Sequence, residues 1–258
     1  MINDFIHELE TLTNQQITTV PTEIGCLLPI NTTLTIHYIE LSKLTKNLDL
    51  PTWKAKSKLE NTISIFENEW RDKREGVLSR IKSKLGLNNK IYARKTTIKK
   101  LNRSEAYDFL LANHINDALK AKYNFGLMYN NELVAIACFG PIMHKKTEAK
   151  GELSGELIRF CNKLDYTVVG GLSKLLKHFI TQYQVDDIMT YIDKDWSDGK
   201  SFIQLGFEVV GEKHQFPHYV DLNQKQFIQE SNETITIYKS GLIKLLLKVK
   251  KSQGRALR

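Results

Sequence analysis

The chain has 258 residues, 41% of them hydrophobic and 26% charged, a globular composition that excludes a low-complexity or disordered protein. Its net charge of +8 is concentrated in one stretch. Between Arg71 and Arg103 twelve basic residues accompany only Asp72 and Glu75, a local balance of +10 that leaves −2 for the rest.

Residues 2–12 read as an amphipathic helix, and 24–29 and 33–41 as two strands joined by a turn at Pro29-Ile30-Asn31. Residues 54–61 read as a helix leading into a strand at 62–66. A strongly charged helix follows over 67–85, ended by Gly86 with Asn88-Asn89. A second unit begins near Ile91 with a strand over 91–98. Its next helix spans 103–113, with Ser104 placed to cap it. Strands at 125–129 and 133–139 meet at Asn130-Asn131, and another strand covers 156–162. Gly170-Gly171 opens a helix over 172–183. Strand 187–192, helix 198–205 and strand 207–210 come next, and the tail alternates again at 234–238 and 242–249. No internal repeat is present. The first ten residues are acidic and amphipathic, not a secretory signal, and no apolar run reaches the roughly 18 residues of a membrane span, so a soluble, cytoplasmic protein is expected. Cys26, Cys138 and Cys161 are scattered, odd in number and form no CxxC pair, which speaks against a zinc site or disulfide framework and for a reducing compartment.

Three groups of residues can carry chemistry. Gly170 and Gly171, with Ser173 and Lys174, stand at a strand-to-helix junction where bare backbone N–H groups bind anions; a tight turn requiring glycine is the competing explanation. Tyr191 and Asp193 lie at a strand end, where α/β folds place function, and His114 follows a helix; these are the candidate catalytic residues, with C-capping the plainer role for His114. Trp196 in the same loop is either a stacking surface or a core lid. Glu156 and Arg159 lie three apart on a strand, so alternation sends them to opposite faces. The basic block, represented by Lys82, Lys84, Arg94 and Lys95, points to an anionic partner, expected to be DNA; a solvated helix face is the alternative.

Two resemblances add to this. From Ile91 to Asp221 the order of elements resembles the GNAT acyltransferase fold, the Leu205-Gly206-Phe207-Glu208 junction being the most specific part. The resemblance implies a mixed α/β sheet flanked by helices and a glycine turn that cradles the pyrophosphate of acyl-CoA. The usual Gln/Arg-x-x-Gly-x-Gly/Ala loop is replaced here by Val168-Val169-Gly170-Gly171-Leu172-Ser173. The second covers nearly the whole chain. Ile65-Phe66-Glu67-Asn68-Glu69-Trp70, Ile91-Tyr92-Ala93-Arg94-Lys95, Asn113-His114, residues 156–162 and 169–175, Tyr191-Ile192-Asp193 and Ile237-Tyr238-Lys239-Ser240-Gly241 are similar to runs in phage homing-endonuclease-like proteins. That family implies an N-terminal half like a very-short-patch-repair nuclease, with a divalent metal on paired acidic residues. Gly25 and His37 stand where carboxylates belong, so no metal is expected and the half reads as a degenerate nuclease. The expectation is a degenerate nuclease-like unit over 1–88, a GNAT-like domain over 89–258, and a DNA-associated protein from a phage-infected or bacterial cell that does not cleave. The alternatives are a GNAT-like group-transfer enzyme acting on a nucleobase or other amine, with acyl-CoA as donor, and an endonuclease with a rearranged Glu23, His37 and Glu40 site.

Overall fold

The computed structural model describes residues 1–59, 62–145, 151–214, 217–221, 226–229 and 234–249. In chain order its elements are α1 (Ile2–Thr13), β1 (Val20–Thr22), β2 (Gly25–Pro29), β3 (Thr35–Ile39), β4 (Leu48–Asp49), α2 (Leu50–Ser57), β5 (Ile63–Phe66), α3 (Glu67–Leu85), β6 (Asn89–Tyr92), β7 (Thr97–Lys100), α4 (Arg103–Asn113) and β8 (Tyr123–Tyr129). Then come β9 (Glu132–Phe139), β10 (Met143–His144), β11 (Leu153–Asn162), β12 (Tyr166–Val169), α5 (Gly171–Tyr183), β13 (Asp187–Asp193), α6 (Lys200–Ile203), β14 (Glu208–Lys213), β15 (His218–Asp221), β16 (Gln226–Ile228), β17 (Thr234–Tyr238) and β18 (Leu242–Lys248). Glu60 and Asn61, the expected end of the helix after Lys54, lie outside the described residues.

The chain forms two compact units that interleave in sequence. The first contains Met1–Val77, Ile192–Asp198 and Glu212–Ile243; the second contains Leu78–Tyr191, Gly199–Gly211 and the chain from Lys244.

In the first unit β1, β2 and β3 pair antiparallel, and β3 pairs parallel with β5. A second sheet runs β16-β15-β17-β4, with Ile237 of β17 opposite Leu48 of β4. Ile24, Ile39, Leu44, Leu50, Phe66, Val220 and Ile237 share one core. Phe5 stacks on Tyr38 with 5.1 Å between ring centroids and meets Trp70 edge-on at 4.8 Å, which anchors α1. Asp49 caps α2 by accepting from the Thr52 N–H. The expected single charged helix is interrupted at Lys73, whose φ of −137 and ψ of 37 break the helical path.

The second unit is a mixed sheet in the order β14-β18-β13-β11-β9-β8-β7, with β10 beside β11. The β7, β8, β9 and β11 neighbours pair antiparallel, whereas β11 and β13 are parallel and are linked by β12 and α5. Helices cover both faces. Ala106, Phe109 and Leu110 of α4 share a core with Leu101, Ile136, Cys138 and Cys161. On the opposite face Phe179 of α5 stacks on Phe139 at 3.9 Å and 5°, among Phe125, Tyr123 and Tyr183. This is the mixed α/β fold with flanking helices expected from the sequence.

Local details follow from side-chain chemistry. Asn130 and Asn131 take φ of 48 and 61, the left-handed pair that a two-residue hairpin needs. Asn102, not Ser104, caps α4, in a capping box with Glu105, while the Ser104 hydroxyl turns to Asp108. The expected strand over 91–98 is broken between β6 and β7 by a 3-10 turn at Ala93–Lys95. The Thr96 hydroxyl donates to the Ala93 carbonyl at 2.7 Å, and this local bond replaces ladder pairing. No described helix is long and apolar enough to cross a membrane.

Candidate functional site

The second unit's most irregular place lies in the middle of its sheet. β11 pairs with β13 from Ser154↔Asp187 to Leu157↔Thr190, and there the ladder stops, although both strands continue. At the same point the register of β11 against β9 shifts, from Leu157↔Phe139 to Arg159↔Cys138. Ile158 is the extra residue of a β-bulge. β11 and β13 therefore part at their carboxyl ends, where parallel strands of α/β folds form ligand crevices.

The bulge also resets which way side chains face. Leu157 shares the α5 face with its partner Phe139, so Glu156 lies on the α4 face. Beyond the extra residue, Arg159 pairs with Cys138, which belongs to the core under α4. Glu156 and Arg159 are thus on the same face, contrary to the alternation expected of an unbroken strand. Gly140 sits against Glu156: a Cβ there would be 3.7 Å from Glu156 Oε2 and 3.4 Å from Ile158 Cδ1, ordinary contact distances. Burial holds the Arg159 guanidinium below its ordinary pKa.

The glycine turn lies at the start of α5, which crosses from the carboxyl end of β11 toward β13. Gly170 has φ 76 and ψ 6, and Gly171 is buried: a Cβ there would lie 3.1 Å from Val168 Cβ and 3.2 Å from Leu127 Cδ1. Glycine is required at Gly170 for its left-handed backbone and at Gly171 for close packing. The first N–H groups of a helix have no intrahelical acceptor, and Ser173 is exposed among them. Lys174 is engaged elsewhere. Its ammonium donates to the carbonyls of Ala93, at 2.8 Å, and Thr96. It thereby pins the Ala93–Lys95 turn beside Gly170, whose Cβ would be 3.6 Å from that of Ala93. Arg94, lying over the Tyr92 ring at 5.3 Å, and Lys95 are exposed on that turn.

The other candidate residues are dispersed. Tyr191 alternates with Met189, the partner of Glu156, and so shares the α4 face. His114 ends α4, with its N–H on the Leu110 carbonyl at 2.8 Å and its Nδ1 accepting from the Asn116 N–H at 3.0 Å. Asp193 belongs to the first unit. Its carboxylate accepts from the Asp195 N–H at 2.9 Å, and burial, aided by Asp195, raises its pKa to about 6. Nearby in that unit, buried Lys54 donates to the Thr62 carbonyl at 3.1 Å and lies 3.4 Å from Asp195, which also accepts from Ser240. Lys239 pairs with Glu69 at 2.6 Å. Trp196 is fully buried, a core side chain and not a stacking surface.

The nuclease-like positions of the first unit are closed. His37 is fully buried, its ring stacked on Trp53 at 4.8 Å with Nε2 3.2 Å from the Thr22 hydroxyl, and burial lowers its pKa to about 4. Glu40 is 2.8 Å from Lys43, and Glu23 accepts from Trp53 Nε1 at 3.5 Å. A Cβ at Gly25 would stand 1.9 Å from the Tyr38 carbonyl oxygen, so no carboxylate fits there. The basic block is internally compensated in part. Arg71 pairs with Asp72, Arg74 with Asp4 and Glu8, Lys82 with Asp165 at 2.7 Å, and Lys99 with Glu105. Lys84 also has a partner.

No family model and no curated protein matches the chain. Solved structures similar to it include a Bacillus subtilis acetyltransferase in complex with CoA, at 16% identity and TM-score 0.41, covering 60% of this chain and 100% of that one. The ribosomal-protein-S18-alanine N-acetyltransferase of Escherichia coli is 17% identical with TM-score 0.40, covering 63% and 99%. A GNAT family acetyltransferase of Elizabethkingia anophelis with acetyl-CoA bound is 16% identical with TM-score 0.38, covering 60% and 99%. The solved structures found are acetyltransferases, which corrects the expectation of a non-cleaving, homing-endonuclease-like DNA-associated protein. Nothing found supports the phage family or the nuclease-like half.

Proposed function

We propose that the second unit transfers an acyl group from a coenzyme A thioester to an amine. The observation that carries this reading is the parting of β11 and β13 at Leu157 and Thr190, with a bulge at Ile158, at the end of the sheet where Gly170 opens α5. The donor supplies an activated thioester carbonyl. The backbone N–H groups at the start of α5 and the exposed Ser173 hydroxyl suit its pyrophosphate, and Arg94 and Lys95 add positive charge beside them. Backbone donors freed from the ladder at the bulge suit a developing oxyanion. Glu156, on the α4 face beside the bulge, takes the proton of the acceptor amine, directly or through a water. The carbon–nitrogen bond forms as the carbon–sulfur bond breaks, and the thiol leaves with a proton.

Ser173→Asp tests the reading without depending on a loss of fold. The first turn of α5 contains no acidic residue, so a carboxylate there complements the helix dipole and should keep or raise the melting temperature. The same charge opposes a pyrophosphate. Acetyl-CoA affinity, measured by calorimetry, should fall at least about tenfold, or about 1.4 kcal/mol. Unchanged acetyl-CoA binding by a well-folded Ser173→Asp variant, or no binding by the wild type, would remove the donor site from this turn.

A further inference from the structure

Half-buried guanidinium groups are ordinarily paired with a carboxylate, because taking a cation out of water without a counter-charge is costly. Arg159 is an exception. Its one hydrogen bond among the described residues runs from Nη1 to the carbonyl of its own neighbour Ile158, at 3.0 Å. Its Nε is buried with no partner, and among the described residues no carboxylate forms an ion pair with it. Asp117 is close enough to act on its charge but forms no ion pair with it, and Glu156, on the same face, is likewise not paired with it. The atom already used, Nη1, lies on the same side of the group as its own Cδ. The two donors left over, Nε and Nη2, form the parallel edge that receives both oxygens of a carboxylate. The bulge at Ile158 places Arg159 on the α4 face, the face that also carries Glu156.

We infer that Arg159 is the acceptor-recognising side chain of the second unit, and that the acceptor is an amine bearing a carboxylate that the Nε–Nη2 edge holds while its nitrogen faces Glu156. The inference rests on the acyl-transfer reading, since it names the acceptor class for that same site.

The test uses the full chain with and without acetyl-CoA. β-Alanine and γ-aminobutyrate are compared with propanolamine and butanolamine, which lack only the carboxylate. Binding is followed by ligand-observed NMR and thermal shift. The amino acids should bind the wild type at least about tenfold more tightly than the amino alcohols. That preference should vanish in Arg159→Gln and be weakened in Arg159→Lys, which keeps the charge but loses the paired donors. Acetyl-CoA affinity should be unchanged in both variants. Arg159→Gln should melt no lower than the wild type, because it removes an unpaired, half-buried charge. Equal binding of both compound classes, binding of neither, or a preference that survives in Arg159→Gln each overturns the inference. Failure of acetyl-CoA to bind would instead strike the acyl-transfer reading, and carboxylate binding by donor-free protein would still report on Arg159.

Discussion

In an Asp193→Asn variant the free energy of unfolding should fall by about 3 kcal/mol between pH 6.5 and pH 4, while that of the wild type stays nearly level. Two buried groups of the first unit act with opposite sign. His37 is held neutral, its pKa lowered to about 4 from an unfolded value of 6.5. The unfolded chain therefore takes up a proton that the folded one refuses, and stability present above pH 6.5 is lost as pH falls toward 4. Asp193 is raised to about 6 from 3.8. Here the folded state holds the extra proton, so stability is fully present below 3.8 and is lost as pH rises through 6. Each shift corresponds to about 3 kcal/mol, and over most of the window they offset one another. Asparagine at position 193 keeps the oxygen that accepts from the Asp195 N–H and exposes the His37 effect, to which His218, its pKa also lowered by burial, adds in the same direction. His37→Gln should do the reverse and become more stable as pH falls from 6 to 4. Urea titrations at half-unit pH steps measure both slopes; parallel profiles for the two variants would contradict the assignment.

Gly25→Ala should destabilise the protein by more than about 3 kcal/mol, because the added methyl meets a carbonyl oxygen and not a flexible side chain. The Tyr38 oxygen would lie 1.9 Å away, and two paired strands would have to separate locally to relieve it. Gly211→Ala is the control: nothing lies within 4 Å of the added atom, and its stability should stay within about 0.5 kcal/mol of wild type. A shift in urea midpoint for Gly25→Ala no larger than the control's would mean that β2 and β3 yield more readily than the paired strands imply. The same contact explains why this position carries no side chain at all, acidic or otherwise.

Much of the second unit was legible because its signals are local. Asn130-Asn131 is a turn wherever two strands flank it, and Gly170-Gly171 ends one element and starts another through its own backbone. What sequence alternation could not give is the bulge. One extra residue at Ile158 reverses the facing of everything after it, so Glu156 and Arg159 appeared on opposite faces when they share one. Nor could a count of basic residues show that Lys82 answers Asp165, or that Lys174 holds two backbone carbonyls, since these partners lie 83 and about 80 positions away. Tyr191 and Asp193 are two residues apart on one strand, yet they fall in different compact units, a division set by which distant segments pack around them.

The interleaving of the two units has a consequence for synthesis. The chain passes between them five times, and the first unit takes its last segment from Glu212–Ile243. Leu48 meets its strand partner Ile237 about 190 residues later, and the core holding Leu50 and Phe66 also needs Val220. At ribosomal speeds of roughly 5–20 residues per second, that core stays open for about 10–40 s while the intervening chain emerges. A newly made chain therefore carries the apolar face around Leu48, Leu50 and Phe66 uncovered until Val220 and Ile237 have emerged. A fragment cut near residue 88 would keep it uncovered permanently. Such a fragment should be a substrate for chaperones rather than a domain, and the second unit too waits for late chain, since β18 lies between β14 and β13 in its sheet.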